Sequence, residues 1–324
     1  MDKEAESTGP SPNLAGPALG QGLEPFLREA CDKRLGPVTW FRTDWQHGGA
    51  ATGRAQLEHD DGTTLDVVVK LPVSLTELRW LQRLQSADAS LPIPRLLQSG
   101  LNLGGYDLAW VVIEWLPHGP LGTRWHEDHI MRTCEAAAAF HAAAAEYEVD
   151  RDVRIEDWSD LLSRSRQAIR TQALIGANRW KTAQKTLSRK LEKIVTIWRA
   201  RQPIGWLHGD LHLANAMARE DISSGPVCLI DLAEVRPGHW VEDAVYLERL
   251  HWARPARVQN NSPLKHLAKA RKARGLEVGS DYPLLADIRR ALYAATAPAF
   301  LRTEGGAHLD ASLEQLEHAL DRLR

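Results

Sequence analysis

The stretch that decides the fold runs from Trp206 to Tyr246: WLHGDLHLANAMAREDISSGPVCLIDLAEVRPGHWVEDAVY. Asp210 and Asn215 place a carboxylate and an amide oxygen on one loop, and Asp231 directly follows the apolar segment Val227 to Ile230. A loop before a strand pair and an acid after it bring the three groups to one place. Phosphoryl transfer to an alcohol asks for such a set, with one carboxylate to accept or orient the hydroxyl proton and hard oxygen donors to hold Mg²⁺ against nucleotide phosphates. An Asp and an Asn at this separation mean little alone, because both residues fill turns and cap helices. The signal is carried jointly by His-Gly-Asp, the Asn, the apolar strand and the second Asp.

That run resembles the aminoglycoside phosphotransferase and choline kinase-like enzymes, small-molecule relatives of the protein kinases. There a His-Gly-Asp element followed by Asn replaces the His-Arg-Asp loop, and His208, Gly209, Asp210 and Asn215 stand at those positions. The resemblance implies ATP as donor, Asp210 as catalytic base, and Asn215 and Asp231 as Mg²⁺ ligands. His208 is expected to buttress the loop. His212 lies where protein kinases often carry a lysine that touches the transferred phosphate, and joins His208 among the catalytic candidates. Asp243 corresponds to the aspartate that braces the lower lobe. Leu232, Ala233 and Glu234 depart from the Phe-Gly of protein kinases, and the activation-segment ending is missing. Both departures point to a small-molecule hydroxyl acceptor, not a protein.

Working outward, the first third of the chain reads as β-rich. Val38 to Phe41 begins it, and Arg54 to His59 and Thr64 to Leu71 are strands joined by a hairpin turn at Asp60, Asp61 and Gly62. Ser74 to Glu77, SLTE, is a capping box that opens a helix with Leu78, Leu81 and Leu84 on one face. The resemblance gives Lys70 the nucleotide α and β phosphates and makes Glu77 its orienting partner, although Glu77 is also the capping-box acid. Gly48, Gly49 and Gly53 fall in a segment like the glycine-rich loop over the phosphates, whose backbone amides suit phosphate oxygens. Trp110 to Leu116 is a buried apolar strand. By resemblance, Ile113 backs the adenine and the backbones of Glu114 and Leu116 bond its edge.

Beyond residue 118 the periodicity turns helical, over His129 to Tyr147, Trp158 to Ala173, Thr182 to Arg199 and Leu309 to Arg324. Segregated strands and helices define an α+β chain. The resemblance makes it a protein-kinase-like two-lobed fold with a β-rich N-lobe and a helical C-lobe. The expected divisions are a flexible leader over residues 1–21, rich in Pro, Gly and Ser, an N-lobe over 22–118 and a C-lobe over 119–324. A helix is expected over Leu23 to Leu35, stopping at Gly36.

The 324 residues carry a formal net charge of -2, with 44% hydrophobic and 25% charged residues, as in a soluble globular protein. This balance demands neither nucleic acid nor an acidic membrane surface, and no obligate protein partner is inferred. No apolar run reaches the length of a membrane span, and no signal peptide is read, so a cytoplasmic enzyme is expected. Cys31, Cys134 and Cys228 follow no metal-ligand spacing and read as small buried hydrophobes.

Arg254, Arg257, Lys265, Lys269, Arg271, Lys272 and Arg274 form a basic run without an acid. Such a run is ordinarily a solvated helix face; lining a cleft, it would favour an anionic or neutral acceptor over a polycation. Trp125, Trp240 and Trp252 offer stacking surfaces for a sugar or a quaternary amine, or else pack the core. Two rivals remain in view. One is a kinase-like nucleotide-binding regulator without transfer activity. The other is a metal-dependent hydrolase built on His208, Asp210, His212 and Asp231.

Overall fold

The computed structural model describes residues 15–41, 50–85, 92–149, 156–172, 174–202, 205–221, 225–301 and 306–323. The chain divides into two compact units after Leu116.

The N-terminal unit begins with α1 (Ala15–Ala30), which starts well before the expected Leu23 and ends before the expected Leu35. Residues 15–21, expected in the leader, are therefore helical. Pro17 sits in the first turn, where a missing amide proton breaks no helical bond. Gly20 permits close approach, since a Cβ there would lie 2.5 Å from the Trp40 ring. At the other end Asp32 and Lys33 take positive φ (54° and 62°), which closes the helix before Gly36. The Glu24 carboxylate then accepts from Val38 N–H and Trp40 Nε1–H, tying α1 to the first strand.

An antiparallel sheet follows in the order β1-β2-β3-β5-β4: β1 (Thr39–Phe41), β2 (Ala51–Glu58), β3 (Thr64–Leu71), β4 (Leu96–Gly100) and β5 (Trp110–Glu114). The β2–β3 hairpin turns at Gly62 (φ 81°), while Asp61 Oδ1 accepts from Thr63 N–H. Alternate residues Ala51, Ala55, Leu57, Val67, Val69 and Leu71 are buried together with Leu27 of α1 and with Cys31 and Leu35, which follow it. Period-two patterning thus supplies one face of the core. Helix α2 (Leu75–Arg83) starts where the capping box placed it, with Ser74 accepting from Glu77 N–H at 3.0 Å.

The C-terminal unit is mainly helical: α3 (His129–Ala144), α4 (Trp158–Thr171), α5 (Ala177–Ala200), α6 (Val241–Arg249), α7 (Pro263–Ala273), α8 (Tyr282–Thr296) and α9 (Gly306–Arg322). Two short antiparallel ribbons interrupt it, β6 (Gly205–Leu207) with β9 (Arg236–Gly238), and β7 (Ala216–Ala218) with β8 (Val227–Leu229). Helix α3 buries Ile130, Cys134, Ala136, Ala137, Ala138, Phe140 and Ala144, so its alanines serve close packing. The basic run divides in two. Lys265, Lys269 and Lys272 of α7 are exposed, the solvated face such a run suggests, whereas Arg271 is buried. Trp240 and Trp252 are packing residues, 1% and 4% exposed; Trp125 is half-buried. The three cysteines are buried and none is in a disulfide. Among the described residues, no helix is long and apolar enough to cross a membrane.

Candidate active site

The segment after β6 is shaped by one glycine. Gly209 has φ 82°, and a Cβ built on it would stand 2.1 Å from the Glu234 carbonyl oxygen. A side chain at this position is refused twice, by conformation and by space. The tight passage turns the chain so that Asp210 leaves the buried interior, its side chain 28% exposed, while His208 beside it is fully buried.

Behind this turn lies a buried hydrogen-bonded chain. Asp243, near the start of α6, accepts from both His208 N–H and Gly209 N–H at 2.9 Å. It also accepts from His141 Nε2 at 3.0 Å. Arg271 donates to His141 Nδ1 at 3.0 Å, so His141 is the neutral Nε2–H tautomer between a guanidinium and a carboxylate. Burial holds His141 below the usual histidine range even beside Asp243. Burial alone would push Asp243 upward, but the His141 bond and the neighbouring histidines and Gly209 amide outweigh it and keep the group ionised. Arg271 meanwhile gives Nε–H and an Nη2–H to the Glu277 carbonyl. Every member of this chain has a partner, which a buried charge requires.

His208 is used at both ring nitrogens. Nε2 donates to the Ile230 carbonyl at 3.0 Å and Nδ1 accepts from Asp210 N–H at 3.3 Å. Burial depresses its pKa, consistent with a neutral ring. His208 therefore holds the loop against β8; a fully buried ring with both nitrogens engaged has no place among groups that meet substrate. The same geometry removes it from the hydrolase ligand set. Among the described residues, the His, Cys, Asp and Glu grouping that could hold a metal ion is instead His126, Asp128 and His129, and there Asp128 is bonded to His126 and Arg132.

In front of the turn, Asp210 is gripped from three sides. Tyr246 O–H donates to Oδ1 at 2.6 Å, Asn215 Nδ2 donates to Oδ2 at 3.1 Å, and His212 Nε2 lies 3.3 Å from Oδ2. Partial burial pushes the acid upward, yet the His212 and Tyr246 hydrogen bonds and both histidines override it, and its pKa falls to about 2. Tyr246, buried and bonded to a carboxylate, is held above its ordinary value. Asn215 also donates to the Asp210 carbonyl at 3.1 Å, so its amide oxygen is the end left for a cation.

Strand pairing sets the third group. Ala216 pairs with Leu229, and Ile230 N–H donates to the Asn215 carbonyl. Asn215 and Asp231 consequently leave the β7–β8 ribbon at the same end. Asp231 has φ 63°, a left-handed backbone that ends the strand at once and starts a short turn over Leu232–Glu234. An amide oxygen and a carboxylate are hard donors of the kind Mg²⁺ takes, and the residues present fit that ion.

In the N-terminal unit, Lys70 Nζ donates to both carboxylate oxygens of Glu77 at 2.8 and 2.9 Å. Ser74 caps the helix through the Glu77 backbone amide, while the Glu77 carboxylate is engaged by Lys70. Gly48 and Gly49 lie outside the described residues. Gly53 lies within β2, not in a turn, paired with Trp40 and Val69, and a Cβ there would come within 2.4 Å of Val38. Strand packing thus accounts for that glycine. Ile113 is half-buried in β5. The Glu114 N–H is committed to the Arg95 carbonyl, so only its carbonyl can serve an adenine edge. Leu116 is buried.

Three residues of the site escape a reading by motif. Tyr246 sits one turn after Asp243 on α6, a spacing that puts both on the face toward the loop. His141 is the one imidazole in the alanine-rich helix segment, and Arg271 is hidden in the basic run.

A β-rich unit carrying a strand lysine paired to a helix glutamate, and a helical unit carrying the Asp210, Asn215 and Asp231 arrangement, define a kinase-like phosphotransferase fold. The solved structures agree. A microcompartment-associated aminopropanol kinase matches over 88% of this chain and 92% of its own, at 17% identity and a TM-score of 0.56. An aminoglycoside phosphotransferase from Alicyclobacillus acidocaldarius matches over 94% and 95%, at 16% identity and a TM-score of 0.57. These likenesses establish the fold, a β-rich first unit and a helical second one as the sequence implies. Among curated proteins none matches significantly. The family model described as "Phosphotransferase enzyme family" matches residues 54–288, and the chain belongs to that family. Membership fixes the class of chemistry as phosphoryl transfer.

Proposed function

We propose that this protein is an ATP-dependent cytoplasmic phosphotransferase that moves the γ-phosphate to a hydroxyl of a small molecule. The supporting observation is the state of Asp210: ionised, partly exposed, and fixed at both oxygens by Tyr246 and Asn215. Its weak basicity suits the reaction. Phosphoryl transfer passes through a loose transition state in which the attacking oxygen needs little prior deprotonation. Asp210 orients the hydroxyl by accepting its hydrogen bond, and takes the proton as the new bond forms. Asn215 and Asp231 would hold Mg²⁺ with an amide oxygen and a carboxylate; when bound, the ion neutralises phosphate charge. Lys70, kept in place by Glu77, supplies a cation for the α and β phosphates. His212 sits beside Asp210 and can donate to a phosphate oxygen.

Asp210→Asn tests the assignment. An amide orients a hydroxyl but takes no proton, so ADP release should fall by about 10²–10⁴-fold. Mg·ATP affinity, measured by calorimetry, should stay within a few-fold. Turnover equal to wild type would remove Asp210 from the chemistry.

A further inference from the structure

Beside Asp210 the C-terminal unit collects positive charge that the fold itself does not neutralise. Arg249, in the last turn of α6, lies over the Tyr246 ring at 4.9 Å, and Tyr246 is the residue bonded to Asp210. Arg257 lies over the Trp125 ring at 4.4 Å. Trp125 stands three residues after Gly122, which is itself anchored to the loop because Gly122 N–H donates to the Leu213 carbonyl. Arg254 is exposed and close enough to weigh electrostatically on both Arg257 and His251. Among the described residues, Arg249, Arg254 and Arg257 form no ion pair. Two nearby acids are already taken: Glu248 holds Arg290 with both oxygens, and Asp128 holds Arg132.

A second observation falls at the same place. His251 is 7% exposed, its ring 5.7 Å from that of Trp125, and its Nε2 is buried without a hydrogen-bond partner. A buried polar nitrogen left bare is uncommon and calls for an explanation. Arg257 and the unsatisfied imidazole share the Trp125 ring with Arg254 close by, and Arg249 stands over Tyr246, the residue bonded to Asp210; positive groups and a bare donor so placed are costly in an empty site and complementary to an anion.

We propose that the acceptor is an anionic alcohol, a hydroxyl compound bearing a carboxylate or phosphate. Its anionic end would rest on Arg249, Arg254, Arg257 and His251 while its hydroxyl meets Asp210. The inference rests on the phosphotransferase reading and adds the substrate class. It excludes a polycation, for which the site would need clustered carboxylates.

The test is ADP release over acceptors matched in carbon skeleton and differing in charge: glycerate, glycerol 3-phosphate, glycerol and 3-amino-1,2-propanediol, then gluconate, glucose 6-phosphate, glucose and glucosamine, with kanamycin as polycation. Turnover is expected with anionic members, and comparison of the carboxylate and phosphate arms identifies the anion. Arg249→Met and Arg257→Gln keep the side-chain bulk over the rings and should each raise the acceptor KM by about tenfold, the loss of one charge-assisted contact, with ADP affinity unchanged. Preference for a neutral or aminated member, or an unchanged KM in both variants, would overturn the proposal while leaving phosphotransfer intact. Should no member turn over, gluconate and glucose 6-phosphate must still raise the melting temperature of wild type and not of the double variant; no such shift overturns it equally. Loss of Mg·ATP binding in wild type would instead strike the phosphotransferase reading itself.

Discussion

Lys70–Glu77 and the Asp210 loop are both charged arrangements expected from the same motif reading, yet they are built in opposite ways. Lys70 and Glu77 are seven residues apart, on a strand and the helix that follows it, and they depend on each other. The Asp210 loop depends on residues drawn from far along the chain: Asp243 lies 34 positions past Gly209, and Arg271 lies 130 past His141. A local pair can lose one member and leave its surroundings in place. A buried chain of donors and acceptors fails as a unit, because removing any link strands the others in a low dielectric.

Asp243→Ala should have the largest effect. It strands two backbone amides, neutral His141 and the Arg271 charge, and truncation of one partner in a buried ionic network costs roughly 3–5 kcal/mol. Urea unfolding should show that loss together with loss of transfer. The pH dependence has a definite sign. The Asp243 carboxyl is depressed in the folded protein, so its contribution is present above the unfolded-state value of about 4 and fades as pH falls below it. The acid limb of the stability profile should be shallower in Asp243→Ala than in wild type.

Gly209→Ala comes next. The added Cβ meets a backbone oxygen at 2.1 Å, and neither the loop nor the turn carrying Glu234 can yield without moving the other. A destabilisation of about 2–3 kcal/mol is expected from left-handed strain and the clash together. Circular dichroism should show a fold retained below the lowered melting point, with transfer lost. A stable, active Gly209→Ala protein would mean that the loop is not held as described.

The contrast also explains what the sequence made readable. Strands β2 and β3 and the Ser74 cap express short-range rules, alternation and capping, whereas the order His208, Asp210, Asn215 and Asp231 is legible through its resemblance to a family motif. The early start of α1 was concealed because Gly20 and Pro17 read as leader residues, whereas Gly20 is there to admit Trp40. Tyr246, His141 and Arg271 were unreadable for another reason. Each matters only through a partner on a different element, and nothing in the local sequence names that partner. His208 reads as a candidate for chemistry from its neighbours, and only the bonds at both ring nitrogens make it a strut.

At the front of the loop, Tyr246→Phe should touch catalysis more than folding. The phenol fixes Asp210 but takes no part in the buried chain behind it, so folding stability should fall by about 1 kcal/mol or less, the net worth of one partly exposed hydrogen bond. Removing this donor should raise the Asp210 pKa from about 2 toward the ordinary carboxylate range, because the Tyr246 bond is one of the interactions that lower it. Asp210 would still be ionised at neutral pH, leaving orientation as the quantity altered, and kcat should drop by about tenfold.

Glu77→Gln should have the smallest effect. The amide preserves the shape of the side chain, and the Ser74 cap uses the backbone of residue 77, so α2 should keep its start. What changes is the charge opposite Lys70, whose ammonium then has a weaker anchor while remaining 21% exposed. A partly solvated pair of this kind contributes on the order of 1 kcal/mol, so the KM for Mg·ATP should rise by about fivefold with the melting temperature nearly unmoved. If Lys70 orients the nucleotide phosphates, Lys70→Met should raise that KM further than Glu77→Gln, and combining the two should add little to Lys70→Met. Additive effects in that double-mutant cycle would show that the pair, although bonded at 2.8 Å, does not act as one device.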